Sequence, residues 1–170
     1  IDDGVTSRIG ENHYVMTTTT GNAASVMGKL EDWLQTEWPE LKVYLTSITE
    51  QYATISINGP YSPQLMKKLC PNIEFSSKNF SHMSFKNIEI EGIQCRVMRI
   101  SFTGEMCFEI NIPSSYAQSL WSKCFALGKE FNITPYGTES MHVLRAEKGF
   151  IIVGQETDGS VTPIDLNMSW

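Results

Sequence analysis

The segment from Ser101 to Ile112 contains the residue best suited to bind a small molecule. From Met106 to Ile112 apolar and polar residues alternate strictly, with Met106, Phe108, Ile110 and Ile112 in one set and Cys107, Glu109 and Asn111 in the other. Successive side chains of a strand point to opposite faces, so Glu109 is predicted to lie on a polar face. A carboxylate there can accept two parallel N–H bonds from an amidine-like edge, such as that of a pterin. An acidic residue within a strand is more often simply hydrated, so the pattern alone leaves both interpretations open.

Two other charged segments are weaker candidates. Asp2-Asp3-Gly4 has the composition of an ordinary turn, in which acidic side chains bond to nearby backbone groups. Residues 145–149 (RAEKG) are typical of a helix end, where cations interact favourably with the helix dipole. The histidines occur in unrelated contexts and no nucleophile elbow is present, so a catalytic triad is not indicated.

The composition favours a domain with a hydrophobic core and a small-molecule ligand. Of the 170 residues, 41% are hydrophobic, and the net charge is −6 with only 13 Lys+Arg. Nucleic acids and anionic membrane surfaces require clustered cations, and the chain has no basic run. No segment resembles a signal peptide or approaches the ~20 apolar residues of a membrane span, so a cytoplasmic location is predicted.

The cysteines do not indicate a metal site or a disulfide framework. None of them forms a Cys-x-x-Cys pair or stands at a zinc-finger spacing from a histidine. We therefore expect free thiols that pack as small hydrophobic side chains, at Cys70, Cys95, Cys107 and Cys124.

The elements that must position these residues are strands interspersed with helices. Strands are predicted at residues 13–20, 43–48, 52–57, 85–91, 94–102 and 107–112, and helices at residues 23–37, 62–70, 114–131 and 138–148. Ser62 and Thr138 are predicted as N-caps, and Gly149 as the left-handed residue that ends the last helix. This order predicts an α+β fold with a mostly antiparallel sheet and packed helices. No glycine-rich dinucleotide or P-loop motif occurs.

Six motifs together resemble the folate-binding aminomethyltransferases, the T-proteins of the glycine-cleavage system. In chain order these are residues 1–4 (IDDG), 14–17 (YVMT), 57–60 (INGP), 102–110 (FTGEMCFEI), 144–149 (LRAEKG), and Thr162-Pro163 with Trp170. Each motif alone is weak, but their order and spacing match the family over essentially the whole chain. The resemblance implies a folate-binding, aminomethyltransferase-like domain over residues 1–170, truncated at both ends.

The resemblance also implies roles for individual residues. Glu109 matches the glutamate that anchors the pterin, and Thr17 matches a position that joins it. Asp3 matches the aspartate at the reacting folate nitrogens and is the predicted catalytic residue. Arg145 matches an arginine near the ligand. The sequence departs from the family at Phe102, where tyrosine is usual, and at Cys107, where glycine is usual.

Residues 145–162 most resemble the branch of the family found in the alpha subunits of heterotetrameric sarcosine oxidases. This implies an enzyme that transfers the one-carbon unit of oxidised sarcosine to tetrahydrofolate, giving 5,10-methylenetetrahydrofolate. FAD, FMN and NAD are then expected elsewhere in the parent complex, with flavin-bearing subunits as partners, and the fragment alone is expected to be inactive. The alternatives are a T-protein aminomethyltransferase and a non-catalytic folate-binding module. Residues 148–156 lack the cysteine of such modules, which disfavours the last alternative.

Overall fold

The computed structural model describes residues 2–168, so Ile1 and Trp170, which belong to two of the six motifs, lie outside the described residues. The chain forms two compact units, one of Glu50–Phe150 and one of Ile1–Thr49 with Ile151–Trp170. The strands are β1 (Thr6–Gly10), β2 (His13–Met16), β3 (Tyr52–Asn58), β4 (Ser84–Ile90), β5 (Ile93–Arg99) and β6 (Cys107–Pro113). The helices are α1 (Ala23–Thr36), α2 (Ser62–Leu69), α3 (Ala117–Gly128) and α4 (Thr138–Glu147). The predicted α+β class is confirmed.

The unit Glu50–Phe150 is built on a four-stranded antiparallel sheet in the order β3-β6-β5-β4. Strands β4 and β5 form a hairpin whose two turn residues, Glu91 and Gly92, have φ values of 51° and 81°. Left-handed conformations at both central residues match the right-handed twist of the flanking strands, which explains the tight connection.

One face of this sheet packs in the hydrophobic core together with buried residues of α2 and α3. The core side chains of β3 and β6 are Ile55, Ile57, Phe108, Ile110 and Ile112. Rings of Phe75 and Phe80 lie with their centroids 5.4 and 5.6 Å from that of Phe108, in edge-on and stacked contacts. The alternation predicted for residues 106–112 is therefore confirmed, and the opposite face of the sheet is free to carry polar groups.

The second unit contains the hairpin of β1 and β2, followed by α1. Val5 and Thr17 extend the pairing beyond the hairpin, because the Thr17 N–H donates to the Val5 carbonyl at 2.9 Å. The C-terminal end of α1 is marked by an edge-on contact between Trp33 and Trp38, whose ring centroids are 5.6 Å apart. None of the helices within residues 2–168 has both the length and the apolar character needed to cross a bilayer.

Several predicted elements differ from the structure. Strand β1 was not predicted, and the predicted strand at residues 43–48 is wrong: these residues form no ladder, and Tyr44 is 94% exposed. Alternating β-formers become a strand only where a neighbouring strand can take up their backbone hydrogen bonds. Helix α3 is shorter than predicted because short 3₁₀ turns occupy residues 114–116 and 129–131.

The predicted N-caps are also wrong. Ser62 and Thr138 are the first residues of their helices, and the capping positions belong to Tyr61 and Gly137, neither of which makes a side-chain cap bond. The Ser62 hydroxyl instead donates to the carbonyl of Met106 at 2.9 Å, which ties α2 to the start of β6. Gly149 does adopt the predicted left-handed conformation, with φ 73°.

The turn before β6 packs against the end of α4. Gly104 has φ 77°, and a Cβ at this position would lie 2.1 Å from Cγ of Lys148. The Lys148 ammonium is 3.9 Å from the Glu105 carboxylate, and the neighbouring Thr103 is buried. Glycine is thus required both by the backbone conformation and by the approach of Lys148. The Thr-Gly-Glu motif and the Lys-Gly end of α4 form one contact.

Replacing Gly104 with Ala should destabilise the unit more than replacing Gly92 with Ala. Gly92 has a similar φ of 81° but nothing within 4 Å of its would-be Cβ, so it reports the backbone strain alone. We expect about 1 kcal/mol for Gly92→Ala and at least about 1 kcal/mol more for Gly104→Ala, measured by urea denaturation. Adding Lys148→Ala should recover part of the difference. Equal losses in the two alanine variants would show that Lys148 does not restrict this turn.

Candidate functional site

Glu109 lies at the centre of the candidate site, on the face of the sheet opposite the core. It is paired with Ser56 of β3 on one side and with Met98 of β5 on the other. The side chain is half-buried, and desolvation raises the pKa of its carboxyl group above the ordinary value. Within residues 2–168 no group donates a hydrogen bond to this carboxylate. A desolvated acceptor without a donor is a group that a ligand can satisfy.

The neighbouring polar side chains lie in register with Glu109. They form the polar face of the sheet, defined here as Thr54, Ser56, Asn58, Cys107, Glu109 and Asn111. In the β3–β6 ladder these residues pair directly as Thr54 with Asn111, Ser56 with Glu109, and Asn58 with Cys107. Directly paired residues on one face have Cβ atoms about 4.5–5.5 Å apart, so the pair of Ser56 and Glu109 lies between the other two pairs. The Asn111 amide donates to the Thr54 hydroxyl at 2.9 Å.

Asn58 makes three side-chain hydrogen bonds on the polar face. Its carbonyl oxygen accepts a hydrogen bond from the hydroxyl of the buried Thr103 at 3.0 Å. Its amide nitrogen donates to the Ser56 hydroxyl at 2.9 Å and also to the phenol oxygen of Tyr136. These bonds use both amide hydrogens and fix the orientation of the side chain. The turn at Thr103 thereby holds the part of the polar face next to Glu109.

Tyr136 reaches the polar face from the segment between α3 and α4. Burial is the largest cause that raises the pKa of its phenol, and the nearby Cys107 and Glu109 raise it further, while bonds from Ser56 and Asn58 lower it. Pro135 precedes Tyr136 and fixes its own φ angle, which limits the conformations of this short segment. The ring remains 40% exposed, so the phenol is both bonded to the polar face and accessible.

Cys107 contributes a buried thiol to the same face. Its sulfur lies 3.2 Å from the Ser56 hydroxyl, and burial raises the pKa of the thiol to about 12. All four cysteines are free and buried, as the sequence predicts. No group of three or more His, Cys, Asp or Glu side chains within residues 2–168 is arranged to hold a metal ion.

Arg145 lies in the last turn of α4, in the same unit as Glu109. The residue is buried, and its Nη1 donates to the carbonyl of Phe150 at 2.9 Å. The Phe150 N–H in turn donates to the Arg145 carbonyl at 2.9 Å. Arg145 therefore stabilises the end of α4, and its predicted role near a ligand stays a prediction.

Asp3 and Thr17 belong to the other unit, in which the structure brings their neighbourhoods together. The Thr17 hydroxyl accepts a hydrogen bond from the Val5 N–H at 3.1 Å. A Cβ on Gly4 would lie 1.8 Å from the Thr17 carbonyl oxygen, so glycine is required between Asp3 and Val5. Asp3 itself is exposed. The predicted ligand role of Thr17 and the predicted catalytic role of Asp3 are not tested by this geometry.

Asp2 is the acid that structures this turn. Its carboxylate accepts hydrogen bonds from the Asp3 N–H at 2.7 Å and from the Asn22 amide at 3.1 Å. A side-chain hydrogen bond from Thr19 is the largest cause of a lowered pKa for this carboxyl group. Of two adjacent acids, one is therefore engaged in local structure and the other is left accessible.

The sequence reasoning identified Glu109 but missed Ser56, Asn58 and Tyr136 as its neighbours. A usable signal was present in β3, where Thr54, Ser56 and Asn58 alternate with Ile55 and Ile57 in the same two-residue period as β6. Two adjacent antiparallel strands with matching alternation place their polar side chains on one face. For Tyr136 no local pattern gives a comparable signal, because its position depends on a loop.

Comparison with known proteins gives a consistent result. Residues 1–170 match the model of the GCVT N-terminal domain. The sequence is 55% identical over 170 residues to sarcosine oxidase subunit alpha of Corynebacterium sp. (strain U-96), covering 99% of this chain and 18% of that subunit. It is 40% identical over 167 residues to the subunit of the same name from Rhizobium meliloti (strain 1021), covering 97% of this chain and 17% of that subunit. The resemblance to this branch is confirmed, although the chain spans under a fifth of the length of these relatives.

A solved structure confirms the fold. The crystal structure of glycine cleavage system aminomethyltransferase T from Bartonella henselae superposes with a TM-score of 0.80 at 20% sequence identity. The match covers 100% of this chain and 43% of that protein. The α+β arrangement described above is therefore the aminomethyltransferase fold.

Replacing Glu109 with Gln should stabilise the protein at neutral pH. Because burial raises the folded-state pKa of Glu109, the folded state binds the proton more tightly than the unfolded state does. The contribution of Glu109 to the free energy of unfolding is thus present at low pH. It is lost as the pH rises from the ordinary pKa of glutamate through the raised pKa of the folded state. Glu109→Gln should raise the thermal midpoint by a few degrees at about pH 7, and the gain should shrink towards about pH 4.5.

Glu89→Gln provides the matched control for this measurement. Glu89 lies on the exposed part of β4 in the same sheet, so its replacement should leave the midpoint unchanged at both pH values. A lower midpoint for Glu109→Gln at neutral pH would show that protein groups, rather than a ligand, satisfy the Glu109 carboxylate.

Proposed function

Because the chain belongs to the family of the GCVT N-terminal domain, we propose that it forms part of a folate site in which Glu109 binds the pterin ring. The observation that carries this proposal is the half-buried Glu109 carboxylate, to which no group within residues 2–168 donates a hydrogen bond. The pterin ring presents a ring N–H and an exocyclic amino group side by side. This pair of donors fits a carboxylate that accepts two parallel bonds.

The reaction we propose is the transfer of a one-carbon unit from oxidised sarcosine to tetrahydrofolate. Support comes from the 55% identity to a protein named sarcosine oxidase subunit alpha. When bound, tetrahydrofolate would supply the two nitrogens that accept the formaldehyde-level carbon, with release of glycine from the imine or of water from formaldehyde, to give 5,10-methylenetetrahydrofolate. Sarcosine oxidation itself would take place on flavin-bearing subunits, so FAD, FMN and NAD would be held outside this chain, and the chain would act within a hetero-oligomer.

The residues of this chain would bind and orient the folate and assist proton transfer. Glu109 would fix the ring by its charge-assisted bonds, which sets the position of the reacting nitrogens. Asp3 would hold or move a proton at the reacting nitrogens, or stabilise a cationic imine by its negative charge. Thr17 and Arg145 would add contacts to the bound ligand.

Glu109→Gln should weaken folate binding in the intact protein. The substitution keeps the shape of the side chain but replaces an acceptor by an amide donor that faces a donor of the pterin. A charge-assisted hydrogen bond contributes roughly 1.5–3 kcal/mol, so we expect at least about a tenfold loss of affinity for tetrahydrofolate, measured by anaerobic calorimetry. Glu89→Gln should bind normally. An unchanged affinity in Glu109→Gln would remove this residue from the site.

Asp3→Ala should change the fate of the one-carbon unit without changing stability. Asp3 is exposed in a polar turn, so the thermal midpoint should stay the same, whereas Asp2→Ala should lower it by removing the bonds to Asp3 and Asn22. In the intact enzyme, Asp3→Ala should release more free formaldehyde and form less methylenetetrahydrofolate at an unchanged rate of sarcosine oxidation. The same product ratio as in the wild type would exclude Asp3 from the transfer step.

A further inference from the structure

A series of hydrogen bonds leads from the turn before β6 to the phenol of Tyr136. The Thr103 hydroxyl donates to the Asn58 carbonyl oxygen at 3.0 Å, and the Asn58 amide donates to both Ser56 and Tyr136. Ser56 also contacts the Cys107 sulfur at 3.2 Å. We call these five residues the donor chain: Thr103, Asn58, Ser56, Cys107 and Tyr136.

The number of hydrogens on each group of the donor chain shows which groups donate and which accept. The Thr103 hydroxyl donates its one hydrogen to the Asn58 carbonyl oxygen. The NH2 group of Asn58 must therefore face Ser56 and Tyr136. The Ser56 hydroxyl accepts from the Asn58 amide and lies 3.2 Å from the Cys107 sulfur, a contact in which either group can donate. The Tyr136 oxygen accepts from the Asn58 amide, so the hydrogen of the phenol is left to donate.

The Tyr136 hydroxyl is also a neighbour of Glu109. Its partner Ser56 is directly opposite Glu109 in the β3–β6 ladder, which places their Cβ atoms about 4.5–5.5 Å apart. The charge of Glu109 acts on the phenol strongly enough to raise its pKa. A carboxylate that can only accept and a hydroxyl that is left to donate therefore stand side by side on the polar face.

We propose that Tyr136 is a specificity-determining residue that selects ligands with a carbonyl oxygen next to the N–H edge bound by Glu109. This inference rests on the proposed function and names the ligand class more closely. A 2-amino-4-oxo pteridine has an amino group, a ring N–H and a carbonyl oxygen in sequence along one edge. The first two would donate to Glu109 and the carbonyl would accept from Tyr136. A 2,4-diamino pteridine presents an amino group where the carbonyl stands, so a donor would face a donor.

The test compares folic acid with its 4-amino analogue in the intact protein at about pH 7, where folic acid keeps its ring N–H and both pteridine rings are largely uncharged. Binding of each is measured by calorimetry in the wild type, in Tyr136→Phe and in Tyr61→Phe. Tyr61 is an exposed tyrosine of the same unit that stacks on Phe131, and it serves as the control for loss of a phenol hydroxyl. We expect Tyr136→Phe to lower the affinity for folic acid about tenfold. The affinity for the 4-amino analogue should stay the same or increase. Tyr61→Phe should change neither.

The outcomes separate this inference from the function on which it rests. Glu109→Gln should weaken the binding of folic acid whether or not Tyr136 contacts the ligand. If the wild type binds folic acid and Glu109→Gln does not, the proposed function is supported independently of Tyr136. An unchanged ratio of the two affinities in Tyr136→Phe, including an equal loss of both, would overturn the inference alone. If the wild type binds neither pteridine, the proposed function and the inference both fail.

Discussion

The pleat of β6 ties the hydrophobic core and the candidate site to one another. Phe108, Ile110 and Ile112 fill the core from one side of the strand, while Glu109 and Asn111 stand on the other. A shift of one residue in the pairing with β3 would move every apolar side chain to the polar face and bury the carboxylate in the core. The free energy of core packing therefore holds the register, and the register holds Glu109 opposite Ser56. The position of the candidate site therefore depends on the packing of the core.

The same dependence extends to the turn before β6. Thr103, Gly104 and Glu105 are fixed by three different interactions: a bond to Asn58, a close approach of Lys148, and the charge of Lys148. Because Lys148 follows α4 directly, the last helix of the unit and the polar face share one short segment of backbone. A polar network whose inner members are hydrogen-bonded is rigid and positions its outermost member well. In this unit the outermost member is the phenol of Tyr136.

The sequence was informative where structure follows from a local period. The alternation of residues 106–112 predicted the two faces of β6 and the candidate Glu109. The spacing of apolar residues predicted α1 and α3, and the residues at the helix ends predicted α2 and α4. The predictions were wrong where the local structure depends on a partner that is distant in the sequence. Residues 43–48 have strand-like side chains but no neighbouring strand, and Ser62 bonds to Met106 instead of capping its helix. Tyr136 could not be predicted because a loop brings it to the sheet. The six motifs supplied the family and the assignments of Asp3, Thr17 and Arg145, which local patterns do not give.

The buried thiol of Cys107 is unreactive as a nucleophile near neutral pH. Only the ionised form of cysteine is an effective nucleophile, and a pKa of about 12 leaves on the order of one molecule in a hundred thousand ionised at neutral pH. Aldehydes are electrophiles that ionised thiols capture readily. The sulfur atom two residues from the Glu109 carboxylate therefore does not react with electrophiles near neutral pH. The burial that raises the pKa of the thiol thus keeps Cys107 in its neutral, unreactive form.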